Sequence, residues 1–541
     1  MKTIGLFASL LFCSLLQAQT LVKDIYTGTG NSAPTMLASL SKGLVFAAST
    51  PTYGAEIWVT DGSSNGTFML KDIRPGFSSS FNQLNTFVSG DMLYMVLMDS
   101  SNTNANNLWR TDGTVQGTIK MVTFSQSWSV PNATLNQMSG VNGNCIFVYG
   151  DNNNKELWVC DGTAAGTHLL KDIKPGNTVG SNPYNLVAMG DYVYFFADDG
   201  VHGVELWRTD GTDSGTQLVK DVFPGPVGCI QNIAQNTNMV AGSNKVYFSA
   251  ISDVTLGFEL FVSDGTDSGT YMVKDLNPLP YSNSSLFIAG TADSFALVFY
   301  RKGNINYLCR TDGTANGTYD LLDSSALIIT IPNFRTFANA GEQVFFMHST
   351  QSNGSELWSS DGTKEGTGLL LDLSPGTASG FGNIMCTYDG KAYFAGLNNL
   401  VGRELFVSSG YKGTTQLYLD LFPGVFFGNL ASMKMHNNSL YVSANTNNGK
   451  GVELYKIDPT SLLGTSNIST PNLSIWPNPV KAGQSFRYLE DVTNITLVSS
   501  IGQMTTLYSD TENTFYLPET ISSGIYTILH GTTKTKIIIE Q

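Results

Sequence analysis

The feature that most constrains this chain is a motif of the form ELWxxDGTxxGT that returns at a nearly constant step. Its clearest copies are EIWVTDGSSNGTFMLKDIRPG from Glu56, ELWVCDGTAAGTHLLKDIKPG from Glu156, ELWRTDGTDSGTQLVKDVFPG from Glu205, ELFVSDGTDSGTYMVKDLNPL from Glu259 and ELWSSDGTKEGTGLLLDLSPG from Glu356. Weaker copies begin at Asn107, Tyr307 and Glu404, and a half-copy, ELYKID, begins at Glu453. Successive starts lie 48 to 54 residues apart. At such a period each unit is a supersecondary element that hides its apolar faces only against its neighbours, which restricts the fold to a propeller or a solenoid.

Each unit divides into four strand-like runs, in the best copy YNLVAMG, YVYFFADD, VELWRTDG and TQLVKDV, separated by Gly, Asp or Pro. Four short strands per unit describe a propeller blade. The ends of the repeat favour a closed ring. TLVKDIY at residues 20–26 is a fourth strand with no third strand before it, and GVELYKID at 451–458 is a third strand with no fourth after it. Joined, they complete one more blade and leave no exposed sheet edge. The expected fold is therefore all-β, a large propeller of nine four-stranded units, or eight blades if one imperfect unit does not complete its sheet. Hairpin register places Glu205 opposite Lys220, Glu56 opposite Lys71, Glu156 opposite Lys171, Glu259 opposite Lys274 and, at the closure, Glu453 opposite Lys23. Such pairs are expected to be exposed and worth a few tenths of a kcal/mol.

The start of the chain, MKTIGLFASLLFCSLLQAQT, has Lys2, an apolar run from Ile4 to Leu16 and a small residue at Ala18, the pattern of a secretory signal peptide cleaved after Ala18. No other run is apolar and long enough for a membrane helix. The resulting division is 1–18 signal peptide, 19–458 propeller, 459–471 a Ser/Thr/Asn-rich linker and 472–541 a small β-sandwich. A net charge of −14 argues against nucleic acid as a partner, since phosphates demand basic patches. Beyond Cys13 the chain has five cysteines with no CxxC pair and no zinc spacing. Cys145 and Cys160 fall on adjacent strands near one another and are the candidate disulfide, in an exterior that permits one.

The tail resembles the type A C-terminal sorting domain of the type IX secretion system. The likeness rests on WPNPV with Pro477, Asn478 and Pro479, on IGQ with Gly502, on SSGIYTI with Gly524 and Tyr526, and on the basic-apolar end KTKIII. It implies passage across a Gram-negative outer membrane by that machinery, followed by release or attachment to surface lipopolysaccharide. Over residues 20–458 the chain also resembles the ELWxxDGT-repeat proteins, which implies a propeller-like architecture and no particular activity. The copy at Glu404 departs most, with Ser409 in place of the turn Asp.

Several residue series invite a chemical reading. Asp61, Asp161, Asp210 and Asp264, each followed by a Gly such as Gly62, fit Asx-type turns better than calcium loops, which gather several oxygen donors within a dozen residues. A second series, Asp24, Asp72, Asp172, Asp221, Asp275, Asp323, Asp372 and Asp420, ends each fourth strand. It either caps the next turn or forms a ring of acids that holds a cation, calcium being the one cofactor considered. Trp58, Trp158 and Trp207 are expected to pack between blades rather than to bind a glycan. No HExxH pair or Ser-His-Asp set stands out among five histidines. The leading expectation is a secreted or surface-attached, non-catalytic module that binds a glycan or a protein. The alternatives are a polysaccharide-degrading hydrolase or lyase with its site in the channel, and a calcium-dependent adhesion protein.

Overall fold

The structure is a computed structural model that describes residues 19–540 apart from 82–85, 100–105, 123–137, 151–153, 177–178, 231–238, 254, 279–285, 304, 325–336, 399–401, 423–427, 460–474, 477–479, 489–493, 500–503, 510–513, 522–523 and 531–532. It divides into two compact units, Met1–Asp458 and Pro459–Gln541. The leader and most of the linker lie outside the described residues.

The first unit is a nine-bladed β-propeller. Eight sheets are four-stranded meanders in chain order, spanning 35–71, 86–122, 138–171, 184–220, 239–274, 286–324, 337–369 and 381–419 (blades 1 to 8). The ninth joins Ser432–His436, Ser439–Asn445 and Val452–Ile457 to the N-terminal strand Gln19–Lys23. Every expected unit therefore completes its sheet, including the irregular ones. The first strands of successive blades touch one another at every junction but that of blades 1 and 2, where the first strand of blade 1 meets the second strand of blade 2, so they form the inner wall.

The second strands are apolar almost throughout, as in GLVFAAST at Gly43–Thr50 and YVYFFAD at Tyr192–Asp198, because each is covered on both faces by a neighbouring blade. In blade 4, Val193, Phe195 and Ala197 join a core with Ile146 and Val148 of blade 3. The intervening Tyr194 and Phe196 join one with Phe248 and Phe258 of blade 5. Fourth strands bury one residue in four, as expected at an outer rim.

The fourth strands correct the expected register. A β-bulge in each regular hairpin sets Lys71 opposite Ile57, Lys171 opposite Leu157, Lys220 opposite Leu206 and Lys274 opposite Leu260. At the closure Lys23 stands opposite Leu454. One extra residue in the fourth strand moves each lysine to the other face of the sheet, away from the glutamate it was expected to meet.

The second unit has eight described strands in a three-stranded and a five-stranded sheet. They enclose a core that includes Val480, Ile495, Leu497, Phe515, Tyr526 and Ile528. Gly524 and Tyr526 lie on the strand Gly524–His530. Pro477, Asn478, Pro479 and Gly502 lie outside the described residues.

Candidate functional site

The glutamates, lysines and TDGT aspartates of the repeat bond within the chain. Glu56 is fully buried, and its carboxylate accepts bonds from the backbone N–H of Ile73 (3.0 Å), Arg74 (3.4 Å) and Ser80 (3.2 Å) and from Ser80 Oγ (2.7 Å). It pins the connection between blades 1 and 2. Glu156 serves Ile173 and Ser181 in the same way, Glu205 serves Val222 and Phe223, Glu259 serves Leu276, Glu356 serves Leu373 and Gly380, and Glu404 serves Leu421 and Phe422. Glu453 reaches across the closure to Ile25, Tyr26 and Ser32. Burial pushes the carboxyls of Glu56, Glu205 and Glu259 up to about 7, and those of Glu356 and Glu404 to about 8. The expected exposed ion pairs are thus replaced by buried staples. A carboxylate facing several backbone donors is the local solution for an inter-blade loop that has no strand partner of its own.

The lysines do different work. Lys220 Nζ donates to the carbonyls of Asp267 and Thr270 in the next blade (3.0 and 2.9 Å). Lys71 reaches Thr118, Lys171 reaches Asp213, Lys274 reaches Thr318, and Lys23 reaches Thr67 across the closure. Each ties its blade to the turn of the following one.

Those turns are built by the TDGT residues. Asp61 Oδ1 accepts bonds from the Ser63 N–H and hydroxyl (2.8 and 2.7 Å), and Asp161, Asp210 and Asp264 repeat this with Thr163, Thr212 and Thr266. The bonded hydroxyl holds these carboxyls below the usual carboxylate range. Before Asp61, Asp210 and Asp264 a buried hydroxyl stands, as where Thr209 bonds Thr216 Oγ1 (2.7 Å) and the Gly211 N–H (3.1 Å), and before Asp161 Cys160 Sγ takes that place. The following Gly must take positive φ and must lack a side chain. Gly265 sits at φ +93°, and a Cβ there would collide with Tyr194 Oη of the preceding blade. In the copy at Glu404 the Asx pattern is gone, and Ser409 N–H bonds Thr414 Oγ1 instead (3.3 Å).

Trp58 and Trp207 are buried between blades, whereas Trp158 is half-buried. In the second aspartate series, Asp24 Oδ2 takes Lys450 Nζ (2.8 Å) and Asp372 Oδ2 takes Asn353 Nδ2 (2.7 Å). Oδ1 of Asp24, Asp72, Asp221, Asp275 and Asp372 is buried with no hydrogen-bond partner. Asp172 and Asp420 follow the fourth strands of blades 3 and 8, and Asp323 lies within the blade 6 strand Tyr319–Ser324, opposite Tyr307. Among the described residues no group of three or more His, Cys, Asp or Glu is placed to hold a metal ion. No helix among them is long and apolar enough to cross a membrane. Cys145 and Cys160 are free thiols that stand directly opposite one another.

Because each blade is a meander, the second-to-third-strand turns and the blade-to-blade loops share one end of the ring. Exposed apolar side chains stand at this end, as Val115 and Tyr411 do at the other. In blade 1 these are Tyr53 and Phe77, the latter 83% exposed, and the loops meet where Phe77 O stands 2.7 Å from the position of a Gly54 Cβ. In blade 4 they are Val201 (65% exposed) and Val227 (54%), beside His202. His202 Nδ1 bonds Asp199 Oδ2 at 2.7 Å, which raises the imidazole above its ordinary range. Sequence reasoning passed over Tyr53, Phe77 and Val201, which lie outside the repeat's recurrent letters, whereas His202 and the insertion Gly225 to Met239 around Val227 stand out as departures from the pattern. The only signal of the first three was apolar residues in Gly-rich turns.

No protein family matches the sequence, and no curated protein matches it. Solved structures similar to this chain include a puromycin hydrolase (14% identity, 61% of this chain and 52% of that one, TM-score 0.36). Another comes from a study of two prolyl endopeptidases (9% identity, 83% and 54%, TM-score 0.37). A third is the β-propeller domain of the Trilobed protease from Pyrococcus furiosus (12% identity, 61% and 95%, TM-score 0.32). The chain spans about half the length of the first two.

Proposed function

We propose that the chain is an exported, non-catalytic module that binds a glycan or a protein through the loop end of its propeller. The observation that carries this reading is the exposure of Tyr53, Phe77, Val201 and Val227 on one end of a scaffold whose repeated glutamates, lysines and TDGT aspartates bond within the chain. Exposed apolar side chains rimmed by polar ones mark interaction surfaces. Export rests on the leader at 1–18 and on the tail's likeness to type IX sorting domains, with surface lipopolysaccharide as the anchor if the mature protein is retained. The test is a glycan-array and surface-protein binding screen with the mature chain and a Phe77→Ser, Val201→Ser variant. The reading expects binding that the variant loses at unchanged melting temperature. Turnover of a polysaccharide, or binding indifferent to both substitutions, would overturn it.

A calcium-dependent reading draws on the buried, partnerless Oδ1 atoms of Asp24, Asp72, Asp221, Asp275 and Asp372. If a cation binds at any one of them, EDTA lowers the melting temperature and calcium restores it. No response to either sinks that reading.

A further inference from the structure

The nine blades form an internal comparison set. At the turn-side end of the second and third strands one pair stands opposite in every blade: Leu44 and Thr60, Leu93 and Thr111, Val193 and Thr209, Val246 and Ser263, Ala296 and Thr311, Val344 and Ser360, Ala392 and Ser408, and in blade 9 Leu440 and Ile457. An aliphatic residue faces a hydroxyl in seven of these blades, and the hydroxyl anchors the TDGT turn. Blade 9 departs at one position, with Ile457, and blade 3 departs at both, with Cys145 opposite Cys160. Each cysteine alone replaces its counterpart at little cost, since Cys160 Sγ still receives Gly162 N–H (3.4 Å) and Thr167 Oγ1–H (3.1 Å). Packing therefore accounts for either thiol singly and not for their coincidence. The other three cysteines have no such partner. Cys309 faces Val298, Cys386 faces Tyr393, and Cys229 lies in the loop after blade 4.

We propose that Cys145 and Cys160 are joined by a disulfide in the mature protein, a covalent staple in blade 3 alone. Directly opposite residues of an antiparallel pair share a face, with Cβ atoms about 4.5–5.5 Å apart, near the span a disulfide bridges. The oxidant is an external disulfide, of a thiol-oxidising protein or of oxidised glutathione. One cysteine thiolate attacks it, releasing one thiol and forming a mixed disulfide. The second then attacks the bonded cysteine sulfur and releases the other thiol. One disulfide is consumed and one is formed, and the two cysteine protons end on the departing thiols. Both side chains are fully buried, and burial pushes both thiols up, so exchange precedes the packing of blade 3 against its neighbours.

The test counts thiols. Mature protein is refolded with a glutathione redox pair, or recovered from an oxidising compartment, then denatured without reductant, alkylated and digested. The expected result is one linked peptide pair holding Cys145 and Cys160, with Cys229, Cys309 and Cys386 alkylated. Full alkylation of Cys145 and Cys160 in both preparations, or linkage to another cysteine, overturns the proposal. A Cys145→Val, Cys160→Thr variant restores the blade 4 pair. The native protein should lose a few °C of melting temperature in reductant, of the order expected for a loop of this length, and the variant should lose none. An equal loss in both also overturns it.

Discussion

Replacing Glu56 by Gln is the sharpest test of the buried staple, because charge changes while shape does not. In the native chain Oε1 accepts Arg74 and Ser80 N–H, and Oε2 accepts Ile73 N–H and Ser80 Oγ–H. A glutamine amide must put its NH2 group at one of the two sites. At Oε1 it would face two backbone N–H groups, and at Oε2 it faces one, since the Ser80 hydroxyl can turn to accept. The second placement therefore wins and leaves the Ile73 N–H without an acceptor. One orphaned buried donor costs about 1–3 kcal/mol. Hydrogen exchange read by mass spectrometry on peptides covering 73–81 should then quicken roughly 5- to 150-fold wherever local opening governs exchange, with blade 5 as the internal control. Lys71→Ala should leave those amides unchanged and loosen the turn that ends at Thr118, where Lys71 Nζ donates (3.3 Å). Unaltered exchange at 73–81 in Glu56→Gln, or the same response in both variants, would refute the staple and revive the exposed ion pair.

Two further outcomes follow from the same geometry. The glutamates raised from 4.5 to about 7 or 8 hold their protons to higher pH folded than unfolded, so folding takes up protons across that window and stability falls as the pH rises through it. Buried His348 is pushed down from 6.5 to about 4, and its contribution runs the other way, lost as the pH falls toward 4. Urea midpoints should drop between pH 5.5 and 8, less steeply in Glu404→Gln, and His348→Phe should gain stability chiefly at pH 5. A midpoint that climbs steadily to pH 8 contradicts the glutamate assignment. Gly265→Ala should destabilise by at least about 1 kcal/mol from positive φ alone, and Tyr194→Phe in the same chain should recover the part due to the collision with Tyr194 Oη. No recovery in the double variant would separate the two causes against this account.

The period, the four runs per unit and the split repeat at the chain ends determined a closed propeller, because a pattern repeated along the chain specifies the same local element each time. The turn chemistry of Asp210 and Gly211 was equally legible, since an Asx turn is made within six residues. Hairpin counting also placed Cys145 near Cys160, because their connection carries no bulge. What the sequence left open was decided by contacts between blades. The glutamate and lysine of each unit look like a cross-strand pair, yet one bulged residue sends Lys220 to the next blade and leaves Glu205 buried beneath the loop it holds. The bulge recurs at the same point of each regular hairpin. The exposed residues Phe77 and Val201 were hidden for a similar reason: an apolar residue in a loop reads as core or surface alike until the ring closes and shows which end it faces.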